Sequence, residues 1–329
     1  MKYRVWSSVI CVALVLSLLV ACGSDTNTSQ GGGNTNDYPN RSINFIVPYG
    51  AGGGTDVMGR AVVGAMDLGV TTFVTNIEGA SAGTGSMEVY NSEPDGYTIL
   101  VHQGEAITVY CATGTYSTPI DEDIEPIATV VWDPMCVSVS ASSDYQSLED
   151  IIEYSKANPG ELKWASTGNK STNHLTTVML WDEAGIEDIY VPYDSQTKAR
   201  TAVLGGNADV LVCQVSEVKA LIDSGEMKCV AICGEENSKV AGFEEVPTTV
   251  SMGYDVSFGL HRGFFAAPGT SQEIIDFLAE NIEEVMGNQE FIDSMAALGY
   301  EPMYRTAEEI RQDMADTKVF VESALDLLG

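Results

Sequence analysis

The chain has 329 residues, with 47 Asp and Glu against 16 Lys and Arg and a formal net charge of −31. Nucleic acid is excluded as a partner, because phosphate recognition needs a basic face, and anionic lipid surfaces are equally poor partners. For a small ligand the total charge decides little, since fields beyond a Debye length of ~8 Å are largely screened; a small anion has to be held by local groups.

In chain order, the first readable element is the N-terminus. Lys2 and Arg4 precede an uncharged apolar run from Val5 to Val20. This is the pattern of a secretory signal peptide, and it is too short for a span of about 20 apolar residues. Leu19-Val20-Ala21-Cys22 resembles a bacterial lipobox, in which the Cys thiol takes a diacylglycerol and becomes the mature N-terminus. Residues 1–21 are therefore expected to be a leader and Cys22 the lipidation site. Residues 22–37 carry almost no large apolar side chain and read as a flexible tether holding a body near a membrane. About 290 residues remain, enough for two lobes of ordinary size.

The body alternates short apolar runs with helical patterns, which argues for α/β layers. Residues 43–47 predict a strand, 48–55 a turn, and Asp56 the opening of a helix with Thr55 or Asp56 as its cap. Strands follow at 72–77 and 97–102, then 127–131 and 135–140. Ser147-Leu148-Glu149-Asp150 predicts a capping box ahead of a helix over 148–157. A second set begins with a strand at 162–166, the turn Thr167 to Ser171 and a helix with Leu175, Val178, Met179 and Leu180 inside. Strands at 189–191, 210–212, 227–232 and 263–267 follow, and the remainder reads as helical. With Cys11 and Cys22 set aside, an odd number of cysteines is left, which argues against a full disulfide framework. His102, His174 and His261 lack any zinc spacing, so no metal and no cofactor is expected.

A strand, a small-residue loop and a helix thus occur near 45–66 and again near 162–181, as two facing lobes would require. A Gly-rich loop entering a helix leaves bare N–H groups at the positive end of the helix dipole, which favours an anion. Tyr49, Gly50, Ala51, Gly52, Gly53, Gly54, Thr55 and Asp56 have this layout. Ser166, Thr167, Gly168, Asn169 and Ser171 repeat it with more side-chain hydrogen bonding. Arg262 is a candidate partner for a carboxylate, and Tyr49, Tyr193 and Trp132 are candidate walls.

These segments carry a resemblance. YPNRSINFIVPYGAGGGTDVMGR, EGASAGTG, PDGYTIL, STGNKSTNHL, VPYDSQTKA, LGGNADV, VPTT and RGFFAAPGT stand in the order found in receptors of tripartite tricarboxylate transporters. The resemblance implies a two-lobed α/β fold of periplasmic-binding-protein type (type II), with a cleft between the lobes closing on a small organic carboxylate. It also implies handover to a permease of one large and one small integral-membrane subunit. Carried over, the first loop meets one end of the ligand and residues 166–171 meet it from the other lobe. Ala82, Gly83, Thr84 and Asp209 complete the cleft; Gln103, in the His102-Gln103-Gly104-Glu105 loop that departs from the family, and Tyr193 are further candidates for its lining. Asp194-Ser195 stands where the family has Lys-Gly, which suggests a ligand bearing an amine or hydroxyls as well. The expected division is residues 38–140 plus 263–329 for one lobe and 141–262 for the other, in a monomer outside the cytoplasmic membrane.

The alternative from another class is a secreted hydrolase. Gly79-Ala80-Ser81-Ala82-Gly83 matches the G-x-S-x-G elbow, and Asp209 and His261 follow in hydrolase order. A third reading keeps the binding fold and couples it to a sensor kinase.

Overall fold

The computed structural model describes residues 38–328; the expected leader, Cys22 and tether lie outside the described residues. The chain opens with β1 (Ile43–Val47), α1 (Gly54–Ala65), β2 (Thr72–Asn76), α2 (Gly83–Tyr90), β3 (Thr98–Gln103), α3 (Gly104–Ala112) and a short α4 (Ile120–Asp123). A long strand, β4 (Glu125–Ser140), leads to α5 (Leu148–Ala157), β5 (Lys163–Thr167), α6 (Thr172–Ala184), β6 (Ile189–Tyr193), α7 (Gln196–Leu204), β7 (Val210–Gln214), α8 (Val215–Asp223) and β8 (Met227–Ile232). The chain returns through β9 (Gly259–Ala266) to α9 (Gln272–Met286), α10 (Gln289–Ala297), β10 (Glu301–Thr306) and α11 (Ala307–Leu328).

The strands lie in the order β2-β1-β3-β9-β4-β7-β5-β6, with β8 and β10 also paired to β4. β1 runs parallel to β2 and β3, and β5 runs parallel to β6 and β7. These sets are joined by antiparallel strands. β4 pairs with β9 as far as Pro134 opposite Gly259, and with β7 from Met135 opposite Gln214. β3 and the first part of β4 are both antiparallel to β9, so β4 leaves the first sheet at the edge where β1 and β3 end. It enters the second sheet at the edge where β7 ends. The C-terminal edges of the two parallel sets therefore face one another across the crossover, where ligands of open α/β sheets bind. Each half buries its own core, one around Phe45, Val62, Ile99 and Phe264, the other around Val137, Ile151, Trp164 and Leu180. The result is the two-lobed α/β fold that the resemblance implies.

Local chemistry explains where the elements fall. α9 places Ile274, Ile275, Leu278, Ile282 and Val285 on one buried stripe at helical spacing. The expected capping box opens α5, with Ser147 and Asp150 each bonding the other's backbone N–H. The apolar pattern separates 127–131 from 135–140, yet these form one strand; Asp133 and Pro134 sit where β4 changes sheets, so the missing proline N–H falls at a change of partners. α2, α3 and β10 escape the apolar pattern. α2 begins Gly-Thr-Gly-Ser, and α3 follows β3 with no side-chain cap.

Candidate functional site

α1 begins at Gly54, earlier than the sequence signal placed it, and its cap is Gly53, which has no side chain to cap with. The N–H groups of Gly54, Thr55 and Asp56 consequently have neither an intrahelical acceptor nor a capping side chain. Asp56 does something else. Its carboxylate accepts from the Gly52 N–H at 2.8 Å, Arg60 Nε at 2.9 Å and Asn76 Nδ2 at 2.9 Å. Burial works against its charge, but the bonds from Arg60, the Gly52 amide and Asn76 outweigh it and hold the carboxyl below its ordinary value. Asn76 also donates to the Tyr49 carbonyl at 2.9 Å, so the loop is pinned from beneath while residues 51–53 stay exposed.

Beneath Thr55 lies a buried polar chain. Tyr49 Oη donates to Gln103 Oε1 at 3.0 Å, and Gln103 Nε2 donates to Thr55 Oγ1 at 2.7 Å. Burial raises the Tyr49 phenol well above its usual range, so it remains a donor. Arg262, 4% exposed, donates to the same Thr55 oxygen at 2.7 Å and to Asp133 Oδ2 at 2.6 Å. Asp133, at the crossover, also accepts from the Ser216 N–H at 3.1 Å and its hydroxyl at 2.6 Å, reaching the start of α8. A Cβ on Gly54 would lie 2.6 Å from Tyr300 Oη, so glycine there lets the helix start close onto this network. Arg262 is thus committed to Thr55 and Asp133. It acts on the site by fixing Thr55.

The neighbouring loop is unusual in its backbone. Ala80, Ser81 and Ala82 all have positive φ, at 49°, 54° and 69°. Three successive non-glycine residues in this region cost on the order of 1–3 kcal/mol each and are found where function holds them. The turn sits at the start of α2, where the Gly83 N–H bonds the Ala80 carbonyl at 3.0 Å and the Thr84 N–H bonds Gly79 at 3.3 Å. A hollow of about 410 Å³ lies beside it, walled by Ala80, Gly83, Thr84 and Tyr116.

In the other half, Ser166 is buried and points at Tyr190, while Gly168 and Lys170 have φ of 50° and 58°. The Tyr190 hydroxyl donates to the Gly168 carbonyl at 2.7 Å and the Lys170 N–H donates to His174 Nδ1 at 2.9 Å. Burial, aided by Lys170, lowers the His174 imidazole to about 4. Ser171 caps α6 by accepting from the His174 N–H at 3.2 Å, and its hydroxyl donates to the Thr167 carbonyl. Asn169 is exposed, and Gly168 N–H bonds the Tyr193 carbonyl at 3.1 Å. Trp164, Tyr190 and His174 stack behind this loop and wall a hollow of about 760 Å³ on the lobe's outer side.

The two Gly-rich loops, the 82–84 segment, Gln103 and Tyr193 therefore all stand at strand ends on the facing edges. Asp209 does not. It lies at the opposite end of β7, where its carboxylate accepts from the Lys163 N–H at 2.8 Å. Asp194 is exposed and paired with Lys198 at 2.6 Å. The hydrolase arrangement is dispersed as well, since His261 Nδ1 faces Glu105 Oε1 at 2.7 Å rather than Asp209. The Asp133–Arg262–Thr55 network was missed by sequence reasoning; its one signal is a charged residue inside the apolar run that became β4.

Comparison with known proteins agrees with this fold. The family described as tripartite tricarboxylate transporter family receptor matches residues 60–324. Protein BugT of Bordetella pertussis is 30% identical over 287 residues, covering 85% of this chain and 86% of that protein. The crystal structure of a TctC solute binding protein from Polaromonas is 30% identical with a TM-score of 0.74, covering 88% of this chain and 99% of that one. A Rhodopseudomonas palustris protein solved with adipate shares the fold at a TM-score of 0.78 and 22% identity, with 88% and 98% covered.

Proposed function

The chain belongs to the tripartite tricarboxylate transporter receptor family, and from that premise we propose that it captures a small organic carboxylate and hands it to a permease with one large and one small membrane subunit. Members are solute-binding receptors rather than enzymes, and their place is outside the cytoplasmic membrane. Among the described residues no helix is long and apolar enough to cross a membrane. We assign attachment to a lipid on Cys22, with the receptor working as a monomer.

The observation that carries this reading is the start of α1, where three amides face the crossover with no capping side chain. A carboxylate oxygen placed there replaces the missing cap and gains from the helix dipole. Each hydrogen bond to a charged group contributes about 1.5–3 kcal/mol. Two from α1 and one or two from the backbone N–H and side chain of the exposed Asn169, the Gly168 and Lys170 N–H groups being already bonded, reach micromolar affinity after the cost of ordering. The relative solved with adipate has the same fold, and a Rhodopseudomonas palustris protein of that fold is solved with malate. We propose that the two lobes close by bending of β4 between Pro134 and Met135, where its pairing passes from β9 to β7. Closure then presents a joint surface to the permease.

The test is a thermal-shift screen of the purified chain against mono-, di- and tricarboxylates, amino acids, sugars and cations. One or a few organic acids should raise the melting temperature. A response confined to sugars overturns the proposal.

A further inference from the structure

At the crossover, three side chains from distant parts of the chain meet. Glu105 comes from the first turn of α3, His261 from β9 and Asp313 from α11. One ligand atom from each, an imidazole nitrogen and two carboxylate oxygens, lies within 4.8 Å of the other two. We propose that this cluster is a binding site for a divalent transition cation, of which zinc is the representative.

His261 Nδ1 is 2.7 Å from Glu105 Oε1 and 3.5 Å from Asp313 Oδ2. Whatever the charge on the ring, that nitrogen carries at most one hydrogen, and the nearer carboxylate takes it. Asp313 Oδ2 is left buried with no hydrogen-bond partner. A cation between the three satisfies both carboxylates at once, with Nδ1 as the third ligand and its proton on Nε2 instead.

Each ligand is held by a contact that does not use the atom facing the cluster. Glu105 Oε2 accepts from the His261 backbone N–H at 3.0 Å, leaving Oε1 to face inward. Asp313 Oδ1 is held by Arg305, leaving Oδ2. The His261 ring packs on Trp132, centroids 4.3 Å apart. Such outer contacts are what fix metal ligands in place. Imidazole nitrogen and carboxylate oxygen are both zinc ligand types, and three protein ligands with water in the fourth position is the layout of an open zinc site. A hollow of about 420 Å³ opens here, and Glu235 and Asp316 on its wall add negative charge against the single guanidinium of Arg305. Sequence spacing hides the site because the ligands stand at 105, 261 and 313.

The test uses the full chain, stripped with a chelator and dialysed against zinc. One zinc per chain should be retained, and cobalt in its place should give the visible absorption of a low-coordinate nitrogen–oxygen site. His261→Gln and Asp313→Asn should each weaken zinc retention at least about tenfold, while His174→Gln should not. Circular dichroism identifies any variant that fails to fold, and Glu105→Gln, which keeps an oxygen for the His261 N–H, then serves in its place. No retained zinc overturns the proposal, as does zinc held equally by the folded cluster variants, which points to the free cysteines.

Discussion

The starts of α1 and α6 occupy equivalent places in the two halves, and the chain treats them in opposite ways. At α1 the cap is a bare glycine, and the surrounding side chains hold the loop from below while leaving the helix amides free. At α6 the cap is Ser171, which satisfies the third helix amide itself and ties back to Thr167. Anion binding by a helix start depends on amides left vacant, so the first lobe offers the stronger charge field. The second offers a stiff, aromatic-backed loop in which the Gly168 and Lys170 N–H groups are already bonded and Asn169 is exposed.

The largest effect expected from disturbing this contrast is at Arg262. Arg262→Met leaves Asp133 buried without its cation and releases Thr55. Stability should fall by about 3–5 kcal/mol, read by urea unfolding. Gly53→Asp is the sharper experiment. An aspartate is among the best caps, a few tenths of a kcal/mol better than glycine, which offsets the close approach of its Cβ to the Gly50 carbonyl at 3.2 Å, so the fold should keep its melting temperature. The same carboxylate occupies the ligand's place and repels it. Affinity should drop roughly thirtyfold or more, the equivalent of about 2 kcal/mol, by calorimetric titration. Ser171→Ala should do the reverse, costing about 1 kcal/mol of stability with affinity changed by less than about threefold, or 0.7 kcal/mol. Loss of affinity in Ser171→Ala with none in Gly53→Asp would invert the roles assigned to the two lobes.

The smallest expected effect is a pH dependence. Burial holds His102 at about 3, and burial with Lys170 holds His174 at about 4, whereas an unfolded histidine protonates near about 6.5. The unfolded chain therefore binds more protons between these values, and stability is lost as pH falls from about 6.5 towards the folded values. His174→Gln should flatten part of that loss, seen as a shallower fall in melting temperature between pH 7 and 5.

The contrast was only half legible in the sequence. Strand, Gly-rich loop and helix could be read near 45–66 because glycines and an apolar stripe are local signals, and the Ser147–Asp150 box was readable for the same reason. Which group caps α1 was not, since Thr55 and Asp56 are better caps than Gly53 by propensity; Asp56 is instead drawn under the loop by Arg60 and Asn76, the latter twenty residues away. Asp209 was placed at the cleft from a motif that marks the start of β7, whereas the cleft lies where that strand ends. Arg262 was read as a candidate partner for a ligand's carboxylate, but the carboxylate it pairs with is that of Asp133, 129 positions away. Such pairings belong to topology.

The most direct test of the account is an amide nitrogen–proton NMR titration of the labelled chain with the carboxylate selected by thermal shift. The strongest downfield shifts are expected at Gly54 and Thr55, with smaller changes at 168–170. Changes confined to the outer hollow around Trp164 and Trp181, with the α1 amides unmoved, would contradict it.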